Sequence, residues 1–233
     1  MSTSTLSSFH PALIHYPDQA AVGRPLPKNK VYQHSGASTR IKDLFVQQVE
    51  QITWAYKLAP DTINLPTRPE VPEIQIFSLT LKTLELHHDI LRCLDESIPL
   101  PIVYELNHDG RTKIIATYKR PSRASGTPDA QHWVHSAYFG TDWLPSDTPR
   151  ATLPSALHLG GLYEALLRRL MPLQARPQET LMDQAERLFQ VEVKQREVNR
   201  MASRLAKEKQ FNRKVEINHA LRKLQAELQT LRS

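Results

Sequence analysis

The chain has 233 residues, 40% hydrophobic and 23% charged, a composition that supports a buried core and excludes a disordered polymer. Its formal charge is +6, and the segment 194–214 alone, with eight basic and two acidic residues, carries a net charge as large. A single cysteine excludes an internal disulfide, no apolar run nears the ~20 residues that span a bilayer, and the start MSTSTLSS has no basic or apolar leader, so a cytoplasmic protein without a membrane segment is expected.

Residues 1–37 are predicted to be an irregular lead-in, because Pro11, Pro17, Pro25 and Pro27 interrupt any helix. Ser38 or Thr39 then caps a helix expected to run to about Leu58, with Ile41, Leu44, Phe45, Val49 and Ile52 on one face. Prolines at 60, 66, 69 and 72 force a loop. The run 73–82 alternates as a strand with apolar residues on both sides, which predicts a sheet covered on two faces. Residues 83–96 read as a helix with Leu86, Ile90, Leu91 and Leu94 inward and Cys93 as a small buried hydrophobe.

Asp109-Gly110 between two apolar, β-branched runs predicts a hairpin of 101–106 with 111–119. Residues 121–131 form a loop by composition, 132–139 a third antiparallel strand, and 140–154 a connection. A helix follows over 155–171, loosened by Gly160 and Gly161. The expected fold is α+β: a small, mainly antiparallel sheet with flanking helices over 38–176, followed by a long helical, coiled-coil-like arm over 177–233. Trp54 and Trp143 are expected to close the core.

The arm has neither glycine nor proline after residue 177. One apolar seam runs through Val191, Val198 and Leu205, and a second through Ile217, Leu221, Leu224, Leu228 and Leu231 in coiled-coil spacing. The twelve residues between Leu205 and Ile217 would rotate the seams by about 100° on one helix. We read the arm as one unbroken or kinked helix, with a hairpin broken near 210–213 as the alternative. Arg196, Arg200, Arg204, Lys207 and Lys214 fall on the side away from the first seam, with Phe211 nearby, a row suited to a phosphate backbone. The plainer reading is a solvated face, but such faces usually alternate sign.

Catalytic patterns are sparse. His87 and His88 are adjacent and diverge on a helix, and His132 and His135 are separated by an odd number of strand steps, so no metal ion or cofactor is expected. A nuclease site needs carboxylates and a Glu/Asp-x-Lys on adjoining strands to hold magnesium and orient water. Glu73-Ile74-Gln75 and Glu105-Leu106-Asn107 lack that lysine, and Lys113 or Lys119 from the hairpin would have to replace it.

Several segments carry a resemblance: 27–32 (PKNKVY), 43–46 (DLFV), 52–60 (ITWAYKLAP), 73–77 (EIQIF), 98–104 (IPLPIVY), 138–143 (YFGTDW) and, most distinctive, 208–218 (EKQFNRKVEIN). Through them the chain resembles an uncharacterised bacterial domain-of-unknown-function family. Its members sit in mobile defence islands beside adenine-specific DNA methyltransferase and helicase or restriction-subunit genes. The resemblance transfers no active site and implies a role in DNA modification or phage defence. The first expectation is therefore a non-catalytic accessory subunit. It would dock a protein partner, a methyltransferase or helicase, through Phe211, Ile217, Leu221, Leu224 and Leu228, and contact DNA through the basic row. The alternatives are a metal-dependent nuclease using Glu73, Glu105 and Lys113, and a structural homo-oligomer joined by the arm.

Overall fold

The computed structural model describes residues 10–121 and 133–233. The chain divides into two units, Met1–Met171 and Pro172–Ser233. Residues 122–131 of the loop expected at 121–131 and the strand's first residue, His132, lie outside the described residues, while Pro121 is strand.

Residues 10–37, expected to be irregular, contain four elements. These are β1 (His10–His15), a 3₁₀ turn at Asp18–Ala20, β2 (Ala21–Pro25) and α1 (Lys28–Ser35). The prolines sit at ends rather than interrupting: Pro17 and Pro27 are N-caps, and Pro25 closes an edge strand. Gly36 ends α1 in the left-handed conformation, with its N–H on the Tyr32 carbonyl.

The helix expected over 39–58 is the larger correction. Helix α2 (Thr39–Gln48) is capped by Ser38 and stops at Gln48, and β3 (Val49–Leu58) continues without a turn. Val49 and Ile52 fit helical spacing by accident. The segment VEQITWAYKL is β-branched and aromatic, and the ladder it forms with β4 settles the competition. A short α3 (Pro60–Ile63) follows within the expected loop, and β4 (Ile74–Leu81) then returns antiparallel to β3.

Helix α4 (His88–Ser97) starts later than expected because His87 caps it, its Nδ1 accepting the Asp89 N–H at 3.2 Å. It crosses to β5 (Ile102–His108), which lies parallel to β4. Strand β6 (Arg111–Pro121) forms the expected hairpin with β5: His108 faces Arg111, and Asp109 and Gly110 both have positive φ, as a two-residue turn of the inverted type requires. Strand β7 (Trp133–Gly140) pairs antiparallel with β6. Gly140 runs so close to β6 that a Cβ there would meet the Ile114 carbonyl oxygen at 2.2 Å. The connection after it holds β8 (Leu144–Pro145), on the start of β6, and β9 (Arg150–Thr152), parallel to β1. Helix α5 (Leu159–Arg168) places Gly160 and Gly161 in its first turn, where His158 Nδ1 caps Gly161 N–H, rather than in a weakened middle.

The main sheet runs β2–β3–β4–β5–β6–β7, antiparallel except at β4–β5. One face buries Ile52, Phe77, Leu79, Tyr104, Leu106 and Ile115 against Val31 of α1, Phe45 of α2, and Ile90, Leu91 and Leu94 of α4. Trp54 and Trp143 pack at its rim. On the opposite face Ile74, Ile76, Val103 and Ile114 are also buried. The two-sided apolar pattern of 73–82 is therefore met by layers on both sides. Each fully buried leucine of this core, Leu79 for example, is worth about 2–5 kcal/mol against alanine.

In the second unit, α6 (Leu181–Lys207) and α7 (Phe211–Arg232) form an antiparallel helical hairpin, so the alternative reading of the arm replaces the unbroken helix. Glu208 and Gln210 are extended, with ψ of 137° and 126°. The Glu208 carboxylate accepts the N–H groups of Lys209 and Gln210 at 2.8 and 2.9 Å, doing locally what a glycine or proline does elsewhere. The two seams close on each other: Val191 and Val198 pack with Leu221 and Leu228, flanked by Met201, Leu205, Leu224 and Leu231. Burial of both seams favours the turn over two helices with exposed leucines.

Candidate functional site

The basic row begins as helix periodicity predicts. Arg196, Arg200, Arg204 and Lys207 lie on α6 at steps of four, four and three, and all four are exposed. Lys214 belongs to α7, beyond the turn, so the five-residue stripe expected on one helix is divided between two. Among the described residues none of the five has a carboxylate within ion-pair distance. Their neighbour Lys194 differs, with Glu197 at 3.3 Å and Glu227 at 3.0 Å. Arg200, Ser203, Arg204, Lys207 and Glu208 line an open hollow of about 560 Å³ near the hairpin's turn. Phe211, at the start of α7, is 77% exposed.

The residues expected to dock a partner behave differently. Ile217, Leu221 and Leu228 are buried and Leu224 is partly so, the leucines all within the cluster shared with α6. Of the five, Phe211 alone is exposed. The hairpin is held from below by Arg187, whose side chain is 6% exposed. It meets Glu179 at 2.6 and 2.8 Å and donates to the carbonyls of Gln174 and Leu231. The guanidinium pulls the Glu179 carboxyl down to about 2.

Glu73, Glu105 and Lys113 do not assemble. Glu105 is paired with Ile114 and Lys113 with Leu106, so the two side chains leave opposite faces of the hairpin. Glu105 is held by both Arg150 nitrogens, at 2.5 and 3.0 Å, while Arg150 also donates to the Ile14 carbonyl. This clamp ties β1 and β9 to β5 beside a cavity of about 350 Å³ that Tyr16, Tyr56 and Ser78 also line. Lys113 faces a different cavity with His88 and Trp143. Glu73 precedes β4, whereas Glu105 lies opposite Ser78, five residues further along that strand. The intervening distance is about 16 Å.

Lys119 is no substitute. It is 1% exposed, and its ammonium donates to the Asp95 and Ile98 carbonyls at the end of α4, with the Asp95 carboxylate at 3.5 Å. Tyr138 donates to the same carboxylate at 2.5 Å. Burial lowers Lys119 to about 8 and raises Asp95, so this group works as a helix clasp. His87 serves as a cap and His88 lies against Tyr138. Among the described residues no three His, Cys, Asp or Glu side chains converge on a point.

A cluster that sequence reasoning missed lies where β3 ends and β4 begins. Lys57 and Gln75 face each other across the ladder, and Lys57 Nζ reaches Asp61 Oδ2 of α3 at 2.8 Å. The hydrogen bond raises the lysine and lowers the carboxyl, and the Glu73 charge raises Lys57 further. The sequence hides this pairing, because 49–58 also fits helical spacing.

The family described as a domain of unknown function, DUF4391, matches residues 14–228, and the chain belongs to that family. No curated protein and no solved structure matches the chain significantly. Among the described residues no helix is long and apolar enough to cross a membrane.

Proposed function

We propose that this DUF4391 member is a nucleic-acid-contacting accessory subunit of a bacterial DNA-modification or phage-defence system. Its C-terminal hairpin lays Arg196, Arg200, Arg204 and Lys207 against the phosphate backbone, and Lys214 adds a contact from α7. The observation that carries the reading is the exposure of these cations without carboxylate partners, on a helix whose other lysine, Lys194, is paired twice. A solvated face that served only solubility would interleave acids as Lys194 does. A row of cations releases counterions from a polyanion and binds it without reading sequence. Protein docking, to a methyltransferase or helicase subunit, falls to the exposed ring of Phe211, since the leucine seams are used within the hairpin.

The test is retention of duplex DNA across a salt series by the full chain and by the variant with Arg196, Arg200, Arg204 and Lys207 all changed to Glu. Each backbone contact contributes about 0.9 to the slope of log affinity against log salt, so the variant should lose about 3–4 from that slope and most of its affinity. Equal affinity and equal slope in the two proteins would remove the claim.

A further inference from the structure

The pocket beside the Glu105–Arg150 clamp is left unused by the hairpin reading. Tyr56 pairs with Ile76, and Ser78 with Glu105, across neighbouring ladders. Their four side chains therefore rise from one face of the sheet, opposite the face of Phe77 and Tyr104. Tyr16, just after β1, and Arg150 of β9 close over them around a space of about 350 Å³. Tyr16 is 5% exposed, yet its hydroxyl has no hydrogen-bond partner among the described residues, and neither has that of Tyr56. The Tyr16 hydroxyl is not sealed in protein, so it opens on the pocket. Burial raises its pKa, the Glu105 charge raises it further and Arg150 lowers it, which puts both members of the clamp within its electrostatic reach. Folded proteins seldom leave so buried a hydroxyl without a protein partner unless water or a ligand meets it.

We propose that this pocket binds a nucleobase, its flat face on the wall of Tyr16 and Tyr56 and its polar edge on the Glu105–Arg150 clamp. The two rings meet at 4.9 Å and 35°, one aromatic surface of the kind on which bases stack. Ile14, Ala55 and Ile76 supply the apolar remainder. Glu105 and Arg150 neutralise each other, so the clamp offers no net charge to a phosphate or a metal ion and suits a neutral ligand. Both keep capacity: the carboxylate has lone pairs, and the guanidinium N–H groups, beyond those spent between them and on the Ile14 carbonyl. An acceptor beside a donor matches the edge of a nucleobase, where an N–H stands next to an acceptor. The tyrosine hydroxyls, able to donate and to accept, serve the remaining ring atoms. A space of about 350 Å³ lies at the small end for ligand sites, right for a nucleoside and too small for a dinucleotide. A sugar alone fits less well, because hydroxyls all round its ring would lose water against isoleucine and tyrosine carbon.

The site belongs to the first unit and stands apart from the hairpin reading. The full chain is titrated by calorimetry with adenosine, guanosine, cytidine and uridine, and with glucose for comparison. Tyr16→Phe and Tyr56→Phe delete hydroxyls that hold no protein partner, so their melting curves should match the wild type. We expect one nucleoside bound per chain, weakened about three- to tenfold by each of these changes and at least about tenfold by Glu105→Gln. Asp147→Asn, an exposed carboxylate elsewhere, should leave binding unchanged. No binding of any nucleoside up to about 1 mM overturns the site, as does glucose binding in their place. So does a nucleoside affinity that neither tyrosine change nor Glu105→Gln reduces. The base could come from a free nucleoside or be turned out of a single strand. A short single-stranded oligonucleotide of the preferred base is therefore offered as competitor to the protein with the charge-reversed hairpin. Displacement of the nucleoside supports the site with a strand as its source, and no displacement supports it with a free nucleoside. Loss of DNA retention in that protein with nucleoside binding intact would remove nothing from this pocket.

Discussion

Two lysine–aspartate pairs in the first unit use the same chemistry in opposite settings. Lys119 and Asp95 are both 0% exposed in their side chains, and the ammonium spends its donors on the carbonyls that end α4. Lys57 and Asp61, at 28% and 66%, meet in solvent. Burial turns the first pair into a clasp: taking two charges out of water is tolerable only because the remaining donors find oxygens. The second pair contributes little to folding. The difference lies in the environment that the sheet supplies, since each pair is simply a lysine on a strand and an aspartate on a helix.

The comparison breaks most easily at the buried end. Lys119→Met removes the donor for three acceptors and leaves the Asp95 carboxyl without its counter-charge. A loss of about 3–5 kcal/mol is expected, read as a large fall in melting temperature, with partial recovery when Asp95→Asn is added. A fall no larger than that of a surface substitution would show that the clasp is dispensable.

The hairpin has its own buried pair, and it sharpens the contrast through pH. Arg187 holds the Glu179 carboxyl near 2, below its ordinary 4.5. A carboxyl depressed on folding binds fewer protons in the native state than in the unfolded one. Its contribution is therefore complete above about pH 4.5 and is lost as pH falls toward 2. Wild type and Glu179→Gln should differ most in melting temperature near neutral pH and converge in acid. A gap that stays constant down to pH about 2 would place the stabilisation elsewhere.

The smallest effect belongs to the exposed pair. Lys57→Met should change stability by under about 1 kcal/mol, because solvent screens the pair it breaks. A loss as large as that of Lys119→Met would make the β3–β4 corner structural.

Much of this was legible in the sequence. Asp109-Gly110 marked its hairpin, 73–82 announced a strand covered on both sides, and the step pattern of Arg196, Arg200, Arg204 and Lys207 placed four cations on one helix face. The reading failed where two periods compete. Val49 and Ile52 satisfy a helical face as well as a strand, and the ladder with β4, a partner 20 or more residues away, decided between them. That single error concealed Lys57 and Asp61, because a lysine's neighbours on a strand differ from those on a helix. In the arm, the absence of glycine and proline argued against a turn, and Glu208 made one with its own carboxylate.

By itself, then, the amino-acid order determined which segments are apolar, where charge gathers and where a tight turn must form, since these follow from side-chain transfer energies and local backbone sterics. Only the tertiary structure decided which seam covers which, which lysine is buried, and which carboxylates share a face. Those outcomes depend on pairing between segments distant in the chain, where burial and strand register outweigh the small local preferences that a single sequence displays.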